Sequence, residues 1–178
     1  MTNRFPLMIR LLHWSMAVLI LAMLFIGVGM LSTAGPAYAA LLSLHRPLGA
    51  ALFILAVIRL TIRIQTRTPP LPESMSSLQK AVAKGSHGLL YAAMIAMPLI
   101  GWAMLSAGGY PVKLGPGLSL PPLVPQDLRL FGLLRMAHTL AAFAFFALIL
   151  GHLSAALIHA FVRRDGVFSA MGFGRPRV

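Results

Sequence analysis

Cysteine is absent from the 178 residues. That excludes disulfides, thiolate-held iron–sulfur clusters and covalent haem attachment through a Cys-x-x-Cys-His motif. Acidic side chains are almost absent as well: Glu73, Asp127 and Asp165 stand against 15 Lys and Arg. Charged residues make up only 10% of the chain, whereas soluble domains carry about 25%. What replaces them is apolar, with 58% hydrophobic residues and a mean hydropathy of +0.85. This is the composition of an integral membrane protein, whose first partner is the lipid bilayer. The formal net charge of +12 would suggest nucleic acid in a soluble domain. Here the basic residues punctuate apolar runs, so membrane topology accounts for them and no nucleic-acid partner is expected.

At roughly 20 or more residues per crossing, the chain has room for four or five spans. Apolar runs at about 11–31, 41–64, 85–105 and 130–162 predict one domain over residues 1–178, an all-α four-helix bundle. Asn3 is a candidate cap for the first helix, with Pro6 in its first turn. Arg4, Arg10, the following apolar run and Ala37-Tyr38-Ala39 imitate a secretory signal. The run exceeds the usual 7–15 apolar residues of such signals, so an uncleaved span is expected, with Trp14 as an interfacial aromatic. Residues 32–40 read as a short uncharged turn, Pro69-Pro70-Leu71-Pro72 as a rigid linker, and residues 106–130 as a long Gly- and Pro-rich loop. Residues 74–84 read as an amphipathic lead-in to the third helix, with Ser74 as candidate cap. Lys and Arg at 4, 10, 59, 63, 67, 80, 84, 163, 164, 175 and 177 fall on the side of both termini, against 46, 113, 129 and 135 on the other. The positive-inside rule therefore predicts cytoplasmic termini, with residues 32–40 and 106–130 facing outward, to the periplasm if the membrane is the inner membrane of a Gram-negative bacterium.

The chemistry-bearing residues are the histidines. His138 and His152 lie fourteen residues apart in the fourth run. That spacing returns to nearly the same helix face and separates the rings by roughly 21 Å along the axis. An unpartnered imidazole in hydrocarbon is costly, so two on one face call for a partner such as haem, a metal centre with an apolar rim. Without cysteine, haem would be held by histidine, or less readily by one of the eleven methionines, most of which read as core filler.

Topology sorts the histidines by depth. His45 and His138 share the outer half, and no third histidine competes with them. The inner half holds His13, His87, His152 and His159. His152, flanked by Leu150, Gly151 and Leu153, sits in a dry setting, and His13 between Leu12 and Trp14 is its best partner. His159 matches the depth of His13 at least as well and stays an alternative. His87 follows Lys84 and Ser86. Gly49, one turn beyond His45, leaves room for a porphyrin or for a close helix contact.

A first helix with Arg10-x-x-His13-Trp14, a second with Leu44-His45-Arg46-Pro47-Leu48-Gly49, a third with Gly85-Ser86-His87-Gly88-Leu89-Leu90-Tyr91 and a fourth with two histidines fourteen apart resemble the bacterial cytochrome b561 family. The resemblance spans about residues 5–165. It implies a bundle with two stacked b haems that moves electrons across the membrane to or from quinone. By match of position, His45 and His138 would hold the outer haem and His13 and His152 the inner one, with His87 at or near a quinone site. One branch of the family oxidises superoxide outside and passes the electrons to ubiquinone inside, which makes superoxide, or an unidentified periplasmic redox protein, the expected donor. Unlike a basic funnel for superoxide, residues 32–40 carry no charge.

Arg46 and Arg135, beside the outer ligand positions, would pair with haem propionates or snorkel to the interface. Lys80, Lys84, His87 and His159 would polarise a quinone carbonyl and relay protons, which points to electron exit on the cytoplasmic side. Arg46, Lys113, Arg129 and Arg135 would steer an anionic donor. Two other function classes fit the pattern less closely: a cytochrome b subunit of a dehydrogenase or hydrogenase, which would need a soluble partner, and a haem-free metal or proton transporter. Three acidic residues are few for a closed zinc site of the latter kind.

Overall fold

Four helices long and apolar enough to cross a membrane build the protein: α1 (Leu7–Ser32), α2 (Gly35–Gln65), α3 (Ser77–Ala107) and α4 (Leu128–Leu157), the last continuing as a π-helical turn over Ile158–Arg163. The structure, a computed structural model, describes residues 4–66, 69–115 and 117–173. Asn3, Arg67, Arg175 and Arg177, which entered the capping and charge arguments above, lie outside them. The all-α bundle expected from the apolar runs is what the chain forms.

The helices run further than the apolar runs that announce them. Between α1 and α2 only Thr33 and Ala34 remain outside helix, where a nine-residue turn was expected. Pro36 sits at the start of α2, where a proline costs no hydrogen bond, and Gly35 takes φ +64° to reverse the chain. Ala37, Ala39 and Ala40 are good helix formers, so α2 starts early and His45 lies well inside it rather than at its start. The cap of α3 is Ser76, not Ser74. Ser76 Oγ accepts from the Gln79 N–H while Gln79 Oε1 accepts from the Ser76 N–H, a reciprocal box that Ser74, with Ser77 three residues on, lacks.

At the other end of α3 the chain does not run free. Val112–Gly115 (β1) and Leu118–Leu120 (β2) pair antiparallel. The segment after them is pinned back to α3 by Trp102 Nε1 donating to the Pro121 carbonyl (2.8 Å) and by the Leu123 N–H donating to Ser106 Oγ (3.0 Å). Asp127 then caps α4: its Oδ1 accepts from the N–H groups of Arg129 (2.7 Å) and Leu130 (2.9 Å), and its own N–H donates to Ala107 at the end of α3 (2.9 Å). Asp127→Ala is expected to cost about 1 kcal/mol of helix stability and Asp127→Asn much less. Thermal unfolding in detergent, ranking the two variants, checks this.

Inside the bundle Met16, Ala56 and Met94, from α1, α2 and α3, meet with Phe145 of α4 against them. Outside, large apolar side chains are left open along every helix, Phe25 at 77% and Leu128 at 83% exposure among them. A continuous apolar surface of this kind needs lipid as its solvent, and helices are suited to it because their backbone groups are satisfied internally. α1 packs along α2, α2 along α3 and α3 along α4, whereas α1 and α4 have little direct backbone packing among the described residues.

The two ends of the chain meet. A short helix, α5 (Val167–Met171), returns to α1, where Phe5 N–H donates to Ala170 (3.1 Å), Arg10 Nη1 to Gly172 (2.7 Å) and Trp14 Nε1 to Met171 (3.0 Å). Trp14, expected as an interfacial aromatic, thus spends its indole N–H on a clasp between the ends.

Candidate functional site

Two pairs of imidazoles face each other between helices. At the end of the bundle opposite the clasp, His45 of α2 and His138 of α4 have ring centres 6.2 Å apart with planes at 69°. Nearer the clasp, His13 of α1 and His152 of α4 have ring centres 6.2 Å apart with planes at 78°, across the side of the bundle where α1 and α4 are loosely packed. The fourteen-residue step of α4 aims both of its histidines inward, because the register nearly repeats.

These distances are too long for a hydrogen bond between rings in which nitrogen meets nitrogen directly, and they suit an atom held between them. With metal–nitrogen bonds of about 2.0–2.1 Å and a ring nitrogen about 1.1 Å from the ring centre, two imidazoles on opposite sides of one iron stand with centres about 6 Å apart. The Nδ1 atoms of His13 and His45 are closed off without a hydrogen-bond partner. The Nδ1 of His138 is closed off in the same way. Rings left unsatisfied in an apolar interior are costly, which marks these side chains as built for a partner that the protein chain does not supply. Gly101 of α3 lies against His138: a Cβ there would come within 3.3 Å of the ring, so the absence of a side chain lets α3 approach it.

His87 of α3 also reaches this group. Its ring centre is 5.4 Å from that of His152, and its Nδ1 is 2.6 Å from the Ala83 carbonyl one turn back. The separation is short for two rings with an iron between them, and the His87 side chain is exposed. His159 is occupied elsewhere: its Nδ1 lies 2.6 Å from Asp165 Oδ2, both groups being well covered. The π-helical turn and the left-handed Arg164 (φ 52°) fold Asp165 back to it, and the second carboxylate oxygen accepts from the Val167 N–H. Among the described residues no hydrogen bond, ion pair or ring contact joins Lys80, Lys84 or His159 to His87. At the other end Arg46 Nε is closed off without a partner, while Arg135 is exposed and, among the described residues, makes no hydrogen bond or ion pair with the His45–His138 pair. No cluster of three or more His, Cys, Asp or Glu able to hold a bare metal ion occurs among the described residues.

Residues 4–174 match the family described as prokaryotic cytochrome b561. The chain belongs to that family. As a cytochrome b561 family member it is a membrane haem b electron-transfer protein, multi-pass in a bacterial inner membrane. It is 30% identical over 128 residues to the protein named "Probable superoxide oxidase CybB" of Yersinia pestis, covering 72% of each chain. It is 25% identical over 172 residues to "Cytochrome b561 homolog 1" of Escherichia coli K12, covering 95% of this chain and 97% of the relative. Identity to "Cytochrome b561 homolog 2" of the same organism is 26% over 172 residues, covering 95% and 91%.

One residue of this cytochrome b561 interior was passed over in the sequence, where it counted only as a basic flank. Arg59 of α2 reaches inward, its guanidinium 5.6 Å from the Tyr91 ring centre, with Nε closed off and unpartnered. The signal was available: Arg59 follows His45 by fourteen residues, the same step that separates His138 from His152.

Proposed function

We propose that the protein holds two b haems and passes electrons from a periplasmic donor, superoxide, to ubiquinone on the cytoplasmic side. In this reading His45 and His138 hold the outer haem, and His13 and His152 the inner one. The observation that carries it is the repeated 6.2 Å separation of two imidazole pairs, each made of rings from two helices. Bound haem supplies one-electron redox chemistry, and everything else is the work of the chain.

Topology supports the direction. The clasped end carries most of the Lys and Arg, which favours the cytoplasm. There ubiquinone must receive two protons with its two electrons, while two superoxide ions each give up one electron and leave as dioxygen. His87, exposed and beside His152, is placed to hydrogen-bond a quinone carbonyl and to donate a proton to it. His159, held by Asp165, is a proton-exchanging pair on the same end of the chain, and Lys80 and Lys84 on the first turns of α3 add cations to it. At the opposite end Arg46, Lys113, Arg129 and Arg135 stay charged and attract an anionic donor, so superoxide oxidation should slow as salt rises.

The test follows reduction of a ubiquinone analogue by superoxide in the purified protein. His87→Ala is expected to slow quinone reduction about a hundredfold, the lower range for loss of a general acid. Haem content and the rate at which the donor reduces the outer haem should hold. Unchanged quinone reduction with both haems present would move the exit site away from His87. A protein that never reacts with superoxide would point to a protein donor.

A further inference from the structure

A guanidinium inside a membrane-spanning helix needs a compensating charge, since an unpaired buried cation costs several kcal/mol. Arg59 has none among the described residues. The acidic side chains are Glu73, Asp127 and Asp165. Asp127 caps α4 at the opposite end, Asp165 is taken by His159, and Glu73 makes no ion pair with Arg59 among the described residues. The contact Arg59 does have, with the Tyr91 face, is an attraction to a neutral ring, which does not neutralise the charge and takes no N–H donor of the guanidinium into an ion pair.

Position narrows what the missing anion is. Tyr91 packs against the central cluster of Met16, Ala56 and Met94, so Arg59 points toward the bundle interior and not out to lipid headgroups. His13 from α1, His87 from α3 and His152 from α4 meet by ring contacts, and Arg59 from α2 reaches Tyr91, one turn beyond His87 on α3. A quinone is neutral when oxidised and would leave the cation uncompensated in the resting protein. A permanent anion is required, and the fork of a guanidinium matches a carboxylate.

We propose that Arg59 is the anion-holding residue of the inner site, pairing with a propionate carboxylate of the haem held between His13 and His152. The inference rests on that ligand assignment. Arg59 acts as a positioning residue: it fixes the orientation of the haem in its slot and adds a positive charge that favours the reduced state.

The experiment uses the full-length haem-loaded protein and reads haem transfer to apomyoglobin together with a potentiometric titration of both haems. Arg59→Gln is expected to release the inner haem about 10–100 times faster, the usual cost of losing an outer-shell partner of a metal site. Its midpoint potential should fall, and the outer haem should be unaffected. Arg59→Lys, which keeps the charge without the fork, should restore the potential more fully than the release rate. Unchanged release and potentials in a two-haem Arg59→Gln protein overturn the proposal, and a raised KM for quinone in that same protein would place the guanidinium against quinone. A one-haem wild-type protein would instead refute the ligand assignment beneath it. Should Arg59→Gln fail to accumulate, resonance Raman on the unaltered protein decides. A propionate bending band of the inner haem at the hydrogen-bonded position that moves in Arg59→Lys supports the pairing, and a free-carboxylate band overturns it.

Discussion

Replacing His138 with alanine is expected to leave one haem per chain instead of two. The outer pair has no understudy: His45 is the one other histidine in that half, and the remaining four cluster toward the clasped end of the bundle. Losing one axial imidazole leaves His45 alone beside a large apolar group with no second nitrogen to close the site. Gly101 adds to the effect, since α3 lies close to the His138 ring at a position that carries no side chain to take its place. His152→Ala should remove the other haem, because both inner separations, to His13 and to His87, are measured from that ring. A pyridine haemochrome assay against protein concentration gives the ratio, and a His138→Ala protein that still carries two haems would refute the assignment.

The outer pair was legible from sequence because depth alone isolates it. Two histidines in one half, on two helices, leave a single way to pair them. Depth could not choose among His13, His87, His152 and His159, since four residues within one half of a bundle differ mainly in direction around the helix axis, and that depends on packing. Ring separations supply the missing coordinate, with 6.2 Å to His13 against 5.4 Å to His87. The His159–Asp165 contact was illegible for another reason. It depends on a π-helical turn and on a left-handed backbone at Arg164, a conformation that non-glycine residues seldom adopt. Arg59 was missed although its spacing from His45 was plain, because counting it as a topological charge ended the search for a partner. The early start of α2 and the hairpin of β1 and β2 lie where small residues and glycines gave the apolar pattern nothing to mark.

His13→Ala is expected to abolish the low-spin signal of the inner haem, whereas His87→Ala keeps two low-spin haems. The argument turns on which ring can stand opposite His152 across an iron. His13 is 6.2 Å away by ring centres, close to the separation that two metal–nitrogen bonds require. His87 is exposed and its ring centre is 5.4 Å away, so taking up the ligand role in place of His13 would require α3 and α4 to separate. Such a shift would strain the packing of Met94 against Met16 and Ala56 a turn or two along. His159 would have to give up its carboxylate partner and unwind the π-helical turn. Electron paramagnetic resonance of the oxidised protein counts low-spin centres directly. Two centres in His13→Ala with one in His87→Ala would hand the ligand role to His87, and with it the quinone site would have to be sought nearer His159 and Asp165.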